Sequence, residues 1–279
     1  MIIKRKLAPT IFRTEESLHE TPSMVAAAAA ILEVEIGSSY IPKDNPSKPL
    51  GEDAHFVISD KKTAGVADGV GGWALKGIDA GEYARDLMRN CVASVVGAEG
   101  VVDPKRVLTE AHSRTTAVGS STACLISFDG WYLRAANLGD SGFMIFREGK
   151  LVYRSPMQRR GFNCPYQMGK GEQFDEPIAA WSGKIPMAAG DIIVVGTDGL
   201  WDNVFGREIV EVLAAEVAET AAELAKMMAE LAWYNSLDLV KDGPFAVEAR
   251  KAGRSHRGGK IDDITVVVAK VTGSSSSPG

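Results

Sequence analysis

The most informative stretch of the sequence is Ile192-Ile193-Val194-Val195-Gly196-Thr197-Asp198-Gly199-Leu200-Trp201-Asp202. An apolar run that ends in glycine and a carboxylate indicates a buried strand followed by a tight turn. The same order recurs in Ala64-Gly65-Val66-Ala67-Asp68-Gly69, and Asp140 follows another predicted strand in Asn137-Leu138-Gly139-Asp140-Ser141. The pairs Glu52-Asp53 and Asp262-Asp263 stand immediately before predicted strands. Acidic residues therefore mark the ends of several strands.

Strand patterns and turn signals predict antiparallel pairing. The predicted strands are residues 54–59, 64–67, 122–128, 131–136, 142–147, 150–154, 192–195 and 264–271. Asp129-Gly130 and Glu148-Gly149 each separate two of these strands, and such pairs form the turns of β-hairpins. The middle of the chain is therefore expected to form an antiparallel sheet.

Amphipathic helices separate the strands. Residues 80–97 place apolar side chains on one stripe at helical spacing. Asp103-Pro104 predicts the start of a second helix, because aspartate caps helices and proline is tolerated at the first helical position. Thr220 and Glu223 form a capping-box pattern in front of a third helix. Clustered strands with paired helices predict an α+β layered domain.

Composition restricts the classes of function. The 279 residues include 31 Lys and Arg against 36 Asp and Glu, which gives a formal net charge of −5. This acidic balance argues against binding to nucleic acid or to a membrane surface, both of which recruit excess basic residues. The sequence has only 4 histidines, so any bound metal ion is expected to be one that prefers oxygen ligands, and zinc is not expected. The 3 cysteines are widely separated, which argues against a disulfide framework and favours a reducing compartment.

One domain is predicted, because residues 50–271 contain no long linker and no solenoid repeat. We expect a flexible N-terminal segment at residues 1–36, the domain at residues 37–272, and a disordered tail at residues 273–279. The apolar run at residues 24–32 is too short to span a bilayer, so no membrane span is predicted. We also expect the protein to be a monomer. Residues 1–14 are basic and free of acidic residues, which leaves a cytoplasmic and an organellar location (mitochondrion or chloroplast) both open.

The carboxylates at the strand ends predict a metal centre. If these ends converge on one edge of a layered sheet, the carboxylates repel one another unless a cation lies between them. Mg²⁺ or Mn²⁺ fits, because these hard ions bind a few carboxylates and several waters. Such a cluster favours two ions about 3.5–4 Å apart, which orient and acidify a water molecule. A single aspartate at a strand end more often caps a turn, so the prediction rests on the whole set.

Six motifs follow one another along the chain: Gly51-Glu52-Asp53-Ala54-His55, Val66-Ala67-Asp68-Gly69-Val70-Gly71-Gly72-Trp73, Gly119-Ser120-Ser121-Thr122-Ala123, Asn137-Leu138-Gly139-Asp140-Ser141, Gly196-Thr197-Asp198-Gly199-Leu200-Trp201-Asp202-Asn203 and Gly259-Lys260-Ile261-Asp262-Asp263-Ile264-Thr265. In type and order, these motifs resemble those of the metal-dependent PPM (type 2C) protein phosphatases. They fall within residues 50–271, which is most of the chain. The Asp-Gly-Val-Gly-Gly-Trp form of the second motif resembles a small branch of the family found in plants, fungi and animal mitochondria.

The resemblance implies a fold and a reaction. The implied fold is a four-layer α-β-β-α sandwich, with two central antiparallel sheets flanked by helices and the metal ions at one end. The implied reaction is hydrolysis of phosphoserine or phosphothreonine in a phosphoprotein substrate by a water that a binuclear metal site activates. The cofactors would be Mg²⁺ or Mn²⁺, with two ions and a third, weaker site.

The resemblance also implies how the two main ions are held. Asp68 would bridge them. Glu52 and the backbone carbonyl of Gly69 would bind one ion, and Asp198 and Asp262 would bind the other.

Three further aspartates belong to the implied site. Asp53 would hold water at the metals, so the implied catalytic residues are Asp53, Asp68 and Asp198. Asp140 and Asp202 match positions that bind a third metal ion in the family.

Two positions depart from the family pattern. Lys48 stands where many members have a phosphate-binding arginine, so the charge is kept but the bidentate fork is lost. Val70 stands where many members have a histidine proposed as the general acid. The leaving group must then be protonated by water at the metals or by another donor, and activity is still expected.

Residues 155–186 correspond to the variable flap segment beside the active site of the family. Arg159 and Arg160 in this segment are predicted, together with Lys48, to bind acidic phosphosubstrate. A solvated pair of surface charges is the simpler interpretation of the two arginines.

Other functions have weaker support in the sequence. Gly139-Asp140-Ser141-Gly142 resembles the nucleophile motif of chymotrypsin-like proteases, but neither His55 nor His112 has the expected neighbours. No Gly-Lys pair has a glycine five positions earlier, which excludes a Walker A phosphate loop. The alternative that stays open is a pseudophosphatase, a phosphoprotein-binding or regulatory module that keeps the fold without turnover.

Overall fold

The computed structural model describes residues 31–215 and 217–273. Their strands are β1 (Leu32–Ile41), β2 (Asp53–Ile58), β3 (Thr63–Asp68), β4 (Ser120–Ser121), β5 (Ala123–Phe128), β6 (Tyr132–Leu138), β7 (Gly142–Arg147), β8 (Lys150–Arg154), β9 (Arg159–Gly161), β10 (Cys164–Pro165), β11 (Met168–Gly169), β12 (Trp181–Pro186), β13 (Ile192–Gly196) and β14 (Ile264–Gly273). Their α-helices are α1 (Ala80–Val96), α2 (Pro104–Arg114), α3 (Asp198–Trp201), α4 (Gly206–Ala214), α5 (Ala221–Ser236) and α6 (Pro244–Lys251). Short 3-10 helices cover Gly71–Lys76 and Pro177–Ala179. None of the helices within these residues is both long and apolar enough to cross a membrane.

Two five-stranded sheets form the centre of the molecule. The first sheet has the strand order β1-β14-β13-β7-β8, and the second has the order β12-β6-β5-β3-β2. Neighbouring strands in both sheets are antiparallel. Two short ladders, β4 with β11 and β9 with β10, lie outside these sheets.

Three layers of buried apolar side chains show how sheets and helices stack. One layer lies between the two sheets and includes Val66, Ile126 and Val267. A second layer, which includes Leu87, packs α1 and α2 on the outer face of the second sheet. A third layer, which includes Met228, packs α4 and α5 on the outer face of the first sheet. The predicted four-layer α-β-β-α sandwich is confirmed.

The hairpin turn and the helix caps that local sequence patterns predict are present in the structure. Glu148 and Gly149 have positive φ angles of 50° and 69° in the two-residue turn between β7 and β8, as a tight hairpin requires. The Asp103 side chain accepts two backbone hydrogen bonds at the start of α2. Thr220 and Glu223 form the reciprocal capping box of α5. These elements are therefore set by short-range sequence.

The first strand corrects the predicted domain boundaries. The boundary expected between residues 36 and 37 falls inside β1, which pairs with β14 over ten residues. The segment Leu32–Ile36 alternates apolar and acidic residues, and this period of two is the signal of a strand with one buried face. The rest of the predicted N-terminal segment, residues 1–30, and the predicted tail at residues 274–279 lie outside the described residues.

Gly37 tests the packing of β1 against α5. A Cβ atom at this position would overlap the backbone of Ala222 in the first turn of α5, so strand and helix would have to separate. We expect Gly37→Ala to lower the free energy of unfolding by about 1–3 kcal/mol, measured by urea denaturation. The control is Gly72→Ala, because a Cβ atom at Gly72 meets no atom within 4 Å. Equal stability of Gly37→Ala and the wild type would contradict this packing.

Candidate active site

Two aspartates face each other at the ends of neighbouring strands. Asp53 begins β2, Asp68 ends β3, and the register places them directly opposite each other. Like charges in opposite positions destabilise a sheet. Burial, followed by the charge of Asp263, raises the pKa of Asp53 well above its ordinary value. Burial, followed by the charge of Asp198, raises the pKa of Asp68 in the same way. The second sheet therefore concentrates negative charge at one end.

The first sheet brings two more carboxylates to this end of the sandwich. β13 ends at Gly196, shortly before Asp198, and β14 begins shortly after Asp262. Gly196 lies opposite Val266 in the register, so Asp198 and Asp262 follow and precede adjacent ends of the two strands. The expected convergence of carboxylates from both sheets is present in the structure.

Hydrogen bonds join Asp53 to the first sheet. Its Oδ2 atom accepts bonds from the hydroxyl groups of Thr197, at 2.8 Å, and Thr265, at 2.7 Å. Its Oδ1 atom is buried and has no hydrogen-bond partner within residues 31–215 and 217–273. A buried carboxylate oxygen normally has a partner, so this atom points to an additional group in the site.

Lys260 lies at the centre of the acidic cluster. Its Nζ atom is 2.5 Å from Asp198, 2.8 Å from Asp202 and 2.9 Å from Asp262. Burial acts to lower the pKa of Lys260, but the three carboxylates outweigh it and raise the pKa well above its ordinary value. Lys260 is therefore a permanently charged cation that partly offsets the repulsion among these aspartates.

Two more lysines meet Glu52 from the other side. Lys43 Nζ is 2.9 Å from one carboxylate oxygen of Glu52, and Lys48 Nζ is 2.7 Å from the other. Lys43 also lies 3.4 Å from Asp262 and 3.3 Å from Asp263. Burial acts to raise the pKa of Glu52, but the bonds from Lys48 and Lys43 outweigh it and lower the pKa. Glu52 is thus held ionised.

Asp140 and Asp202 are the two residues predicted to bind a third metal ion. An arginine of the flap lies close to both of them. Arg159 Nε lies 3.0 Å from Asp140 Oδ2, and its terminal nitrogen lies 4.0 Å from Asp202. Asp140 Oδ1 is buried without a hydrogen-bond partner in the part of the chain that the structure describes. Arg159 is therefore a direct neighbour of the acidic cluster.

An open cavity of about 380 Å³ runs over this cluster. Its walls include Asp68, Gly69, Asp140, Asp198 and Asp262, together with the ammonium groups of Lys43 and Lys260. Glu52, Asp53 and Asp202 are buried beneath or beside it. All the acidic residues that the sequence predicts for the site are therefore brought together.

The donor set of this cavity fits a hard divalent cation. The groups are carboxylates, and the unpartnered oxygens of Asp53 and Asp140 are the kind of donor that Mg²⁺ and Mn²⁺ prefer. Within the described ranges, no three His, Cys, Asp or Glu side chains are arranged around one point as the ligands of a single ion are. Lysine ammonium groups contact Glu52 at 2.9 Å and Asp198 at 2.5 Å.

Arg160, the second predicted flap residue, has a different environment. Its guanidinium forms two hydrogen bonds with Asp175, at 2.6 and 2.9 Å, and stacks 4.4 Å from the ring of Tyr166. Arg159 and Arg160 both line a separate surface groove, and neither belongs to the lining of the acidic cavity. Of the two arginines, only Arg159 contacts the acidic cluster within the described residues, and the role of both in substrate binding stays a prediction.

The flap is anchored beside the glycine-rich turn that follows Asp68. Trp73 donates from Nε1 to Ser120 at 2.7 Å, and Ser120 donates to Gln167 of the flap at 2.6 Å. The ring of Trp73 also stacks on Phe174 of the flap, with 5.9 Å between centroids. These contacts fix the flap over one wall of the cavity.

Several residues of the site were not singled out from the sequence. Asp263 accepts backbone hydrogen bonds from Glu52, at 3.0 Å, and Lys43, at 2.9 Å, and so ties the start of β2 to the start of β14. Lys43 and Lys260 supply the cations. The only sequence signal for Lys260 was its position two residues before Asp262.

Comparison with known proteins gives relatives along nearly the whole chain. No protein-family model matches it. "Probable protein phosphatase 2C 55" of Arabidopsis thaliana is 43% identical over 266 residues, which cover 94% of this chain and 57% of that protein. "Probable protein phosphatase 2C 80" of the same species is 42% identical, with coverage of 91% and 63%. The chain thus spans 57% and 63% of the length of these two relatives. "Probable protein phosphatase 2C 26", also from Arabidopsis thaliana, is 35% identical and is covered over 89% of its length.

The solved structures that are similar to this chain are also phosphatases. The photosystem II phosphatase PBCP is 35% identical, with a TM-score of 0.79 over 85% of this chain and 98% of that chain. The catalytic domain of the phosphatase PstP, solved in complex with 2 manganese ions, is 21% identical with a TM-score of 0.61, covers 86% of this chain and supports the fold alone. The four-layer sandwich of this chain is therefore the fold of these solved phosphatase structures. The chain belongs to the protein phosphatase 2C (PPM) family, and the narrower branch suggested by its second motif stays a prediction.

The raised pKa values predict how stability varies with pH in a chelator. Burial and then the charge of Asp198 raise the pKa of Asp202 to about 7 and that of Asp140 to about 6. The folded chain therefore keeps protons that the unfolded chain releases, so its free energy of unfolding falls as the pH rises from about 5 to about 8. In EDTA we expect a decrease on the order of 2 kcal/mol, measured by urea denaturation.

Two variants control this experiment. Asp202→Asn should flatten the pH dependence, whereas Asp60→Asn at an exposed position should leave it unchanged. Added Mn²⁺ should restore stability at the higher pH, because a cation favours the ionised carboxylates. Stability in EDTA that rises over the same pH range would contradict the assignment.

Proposed function

We propose that this chain is a protein serine/threonine phosphatase that uses Mg²⁺ or Mn²⁺ to hydrolyse phosphoserine and phosphothreonine in protein substrates. Water and the phosphomonoester would give the free hydroxyl side chain and inorganic phosphate. The observation that carries the proposal is the convergence of carboxylates from both sheets on one open cavity. Relatives that bear the name protein phosphatase 2C at 35–43% identity support it.

The residues around the cavity suggest how a binuclear centre would be held. Asp68 faces carboxylates of both sheets and is the natural bridge, with Glu52 and the Gly69 carbonyl on one side and Asp198 and Asp262 on the other. Two ions in this position would acidify and orient a water molecule and would neutralise charge on the phosphoryl oxygens. The complex of PstP with 2 manganese ions supports this number for the family fold.

Asp53 would orient water next to the phosphoryl group. The hydroxyl groups of Thr197 and Thr265 fix its Oδ2 atom, so the carboxylate cannot rotate freely. Its second oxygen is then available to accept a hydrogen bond from water in the site. Because this geometry is fixed, the substrate would approach the site along one direction.

Lysines would hold the substrate phosphate. Lys43 lines the cavity, and Lys48 contacts the same carboxylate, that of Glu52, so a phosphoryl dianion would meet the ammonium group of Lys43 and lie near that of Lys48. Val70, which lines the same cavity, has no proton to donate. The proton for the leaving hydroxyl would therefore come from water in the cavity.

The pseudophosphatase alternative gains no support. Each acidic position that the family resemblance implies is occupied by Asp or Glu, and each lies in or beside the cavity. A module without turnover would need none of this buried charge, which is costly to keep.

Turnover should depend on a divalent cation and on Asp198. We expect the chain to hydrolyse p-nitrophenyl phosphate and a phosphothreonine peptide with Mn²⁺ or Mg²⁺, and EDTA to abolish both activities. Asp198→Ala should lower kcat by at least about 100-fold, because a ligand of the centre is lost. Glu230→Ala at an exposed position of α5 is the matched control and should behave as wild type. Full activity in EDTA or in Asp198→Ala would overturn the two-metal proposal.

Lys48 tests phosphate binding at the departure from the family pattern. We expect Lys48→Ala to raise KM for the phosphopeptide and the inhibition constant of inorganic phosphate by about tenfold or more, because a charged hydrogen bond is lost. Lys48→Arg should recover binding through its bidentate fork. Lys226→Ala on the exposed face of α5 is the control. An unchanged inhibition constant in Lys48→Ala would exclude this role.

A further inference from the structure

A second cavity, here called the flanking pocket, lies next to the acidic cavity. It also measures about 380 Å³ and lies between the end of β8, the start of α4 and one face of α6. Apolar side chains form much of its wall, namely Met144, Met157, Val204, Phe205 and Val247. The proposed reaction makes no use of it.

The wall of the flanking pocket carries three cationic side chains, Arg154, Arg159 and Lys251, and two carboxylates, Asp202 and Glu248. Within the described part of the chain, Arg154 forms no ion pair, and its guanidinium bonds only to the sulfur of Met157 at 3.8 Å. Burial and the neighbouring charge of Arg159 lower the pKa of Arg154, while Glu248 and Asp202 act on it only from a distance. Arg159 already pairs with Asp140 at 3.0 Å, so Arg154 is the guanidinium of this pocket that can bind an additional anionic group.

The flanking pocket is within reach of a substrate held at the acidic cavity. Arg159 and Asp202 belong to its wall, and Asp202 is also 2.8 Å from Lys260 at the centre of the acidic cluster. One layer of side chains therefore separates the two cavities. An extended peptide advances about 3.3 Å per residue, so a side chain two or three positions from a bound phosphoresidue lies about 7–10 Å from it, which is enough to pass one layer of side chains.

We propose that the flanking pocket selects substrates with an acidic side chain beside an apolar one, within about three residues of the phosphoresidue. The acidic group would pair with Arg154, and the apolar group would pack against Met157 and Val247. This inference rests on the proposed phosphatase function and adds a preference among its substrates. It assigns to Arg154 the recruiting role that sequence analysis gave to Arg160, whose charge is already taken by Asp175.

Phosphopeptide selectivity tests the flanking pocket. The probes are fluorescein-labelled phosphothreonine peptides that carry a Glu-Leu pair two residues before or after the phosphothreonine, with Lys-Leu and Glu-Gly versions. In Mn²⁺ we expect kcat/KM for Glu-Leu to exceed that for Lys-Leu by about tenfold or more on at least one side. Arg154→Gln should remove this preference, and Val247→Ser should reduce the preference for Glu-Leu over Glu-Gly by about fourfold.

Two controls separate this inference from the proposed function. Both variants should hydrolyse p-nitrophenyl phosphate as wild type does, since this substrate has no flanking residues, and Arg89→Gln on the exposed surface of α1 should alter nothing. Peptide turnover without selectivity, or selectivity that survives in Arg154→Gln, would overturn the flanking pocket while leaving the phosphatase function standing.

If no substrate is hydrolysed, peptide binding still tests the flanking pocket. That result would overturn the phosphatase function, and fluorescence anisotropy of the same peptides in EDTA would then decide the pocket. Tighter binding of the Glu-Leu peptide that is lost in Arg154→Gln supports the pocket. Equal binding of the Glu-Leu and Lys-Leu peptides overturns it.

Discussion

Repulsion between Asp53 and Asp68, which lie opposite each other on β2 and β3, is the constraint on which the site depends. An antiparallel sheet places such a pair so close that two negative charges are unfavourable, and burial removes the screening that water would give. The structure surrounds the pair with two threonine hydroxyls and, around their acidic neighbours, with lysine ammonium groups. Positive charge at this end of the sandwich therefore stabilises the ionised carboxylates, which otherwise keep protons at neutral pH, and the proposed reaction needs the same charge.

The acidic cluster also joins the two sheets. Asp53 and Asp68 come from the second sheet, whereas Asp198 and Asp262 come from the first, so any cation bound among them links the two halves of the sandwich. Binding to the folded state alone stabilises it by mass action. Metal binding and stability are consequently two measures of the same interaction, and the shape of the cavity depends on both.

Much of the fold and of the acidic set could be predicted from the sequence. Hairpin turns, helix caps and apolar strands are short-range signals, and the order of the six motifs located the acidic residues. The strands predicted from the sequence do not include β1, although the alternation of apolar and acidic residues in Leu32–Ile36 indicates a strand. Its partner β14 is more than 200 residues away, so the pairing could not be predicted from neighbouring residues. The positions of Lys260 and Arg159 could not be predicted, since a long charged side chain finds its partner only after distant strands and the flap have assembled.

The most direct test of the account is the number of Mn²⁺ ions bound at equilibrium, measured by isothermal titration calorimetry on the chelator-treated chain. Opposed carboxylates that need a cation predict saturable binding of at least two ions, and Asp68→Asn should lose sites or affinity because the bridging charge is gone. Asp60→Asn should bind as the wild type does. Absence of saturable Mn²⁺ binding, or the same binding by Asp68→Asn and the wild type, would contradict the account.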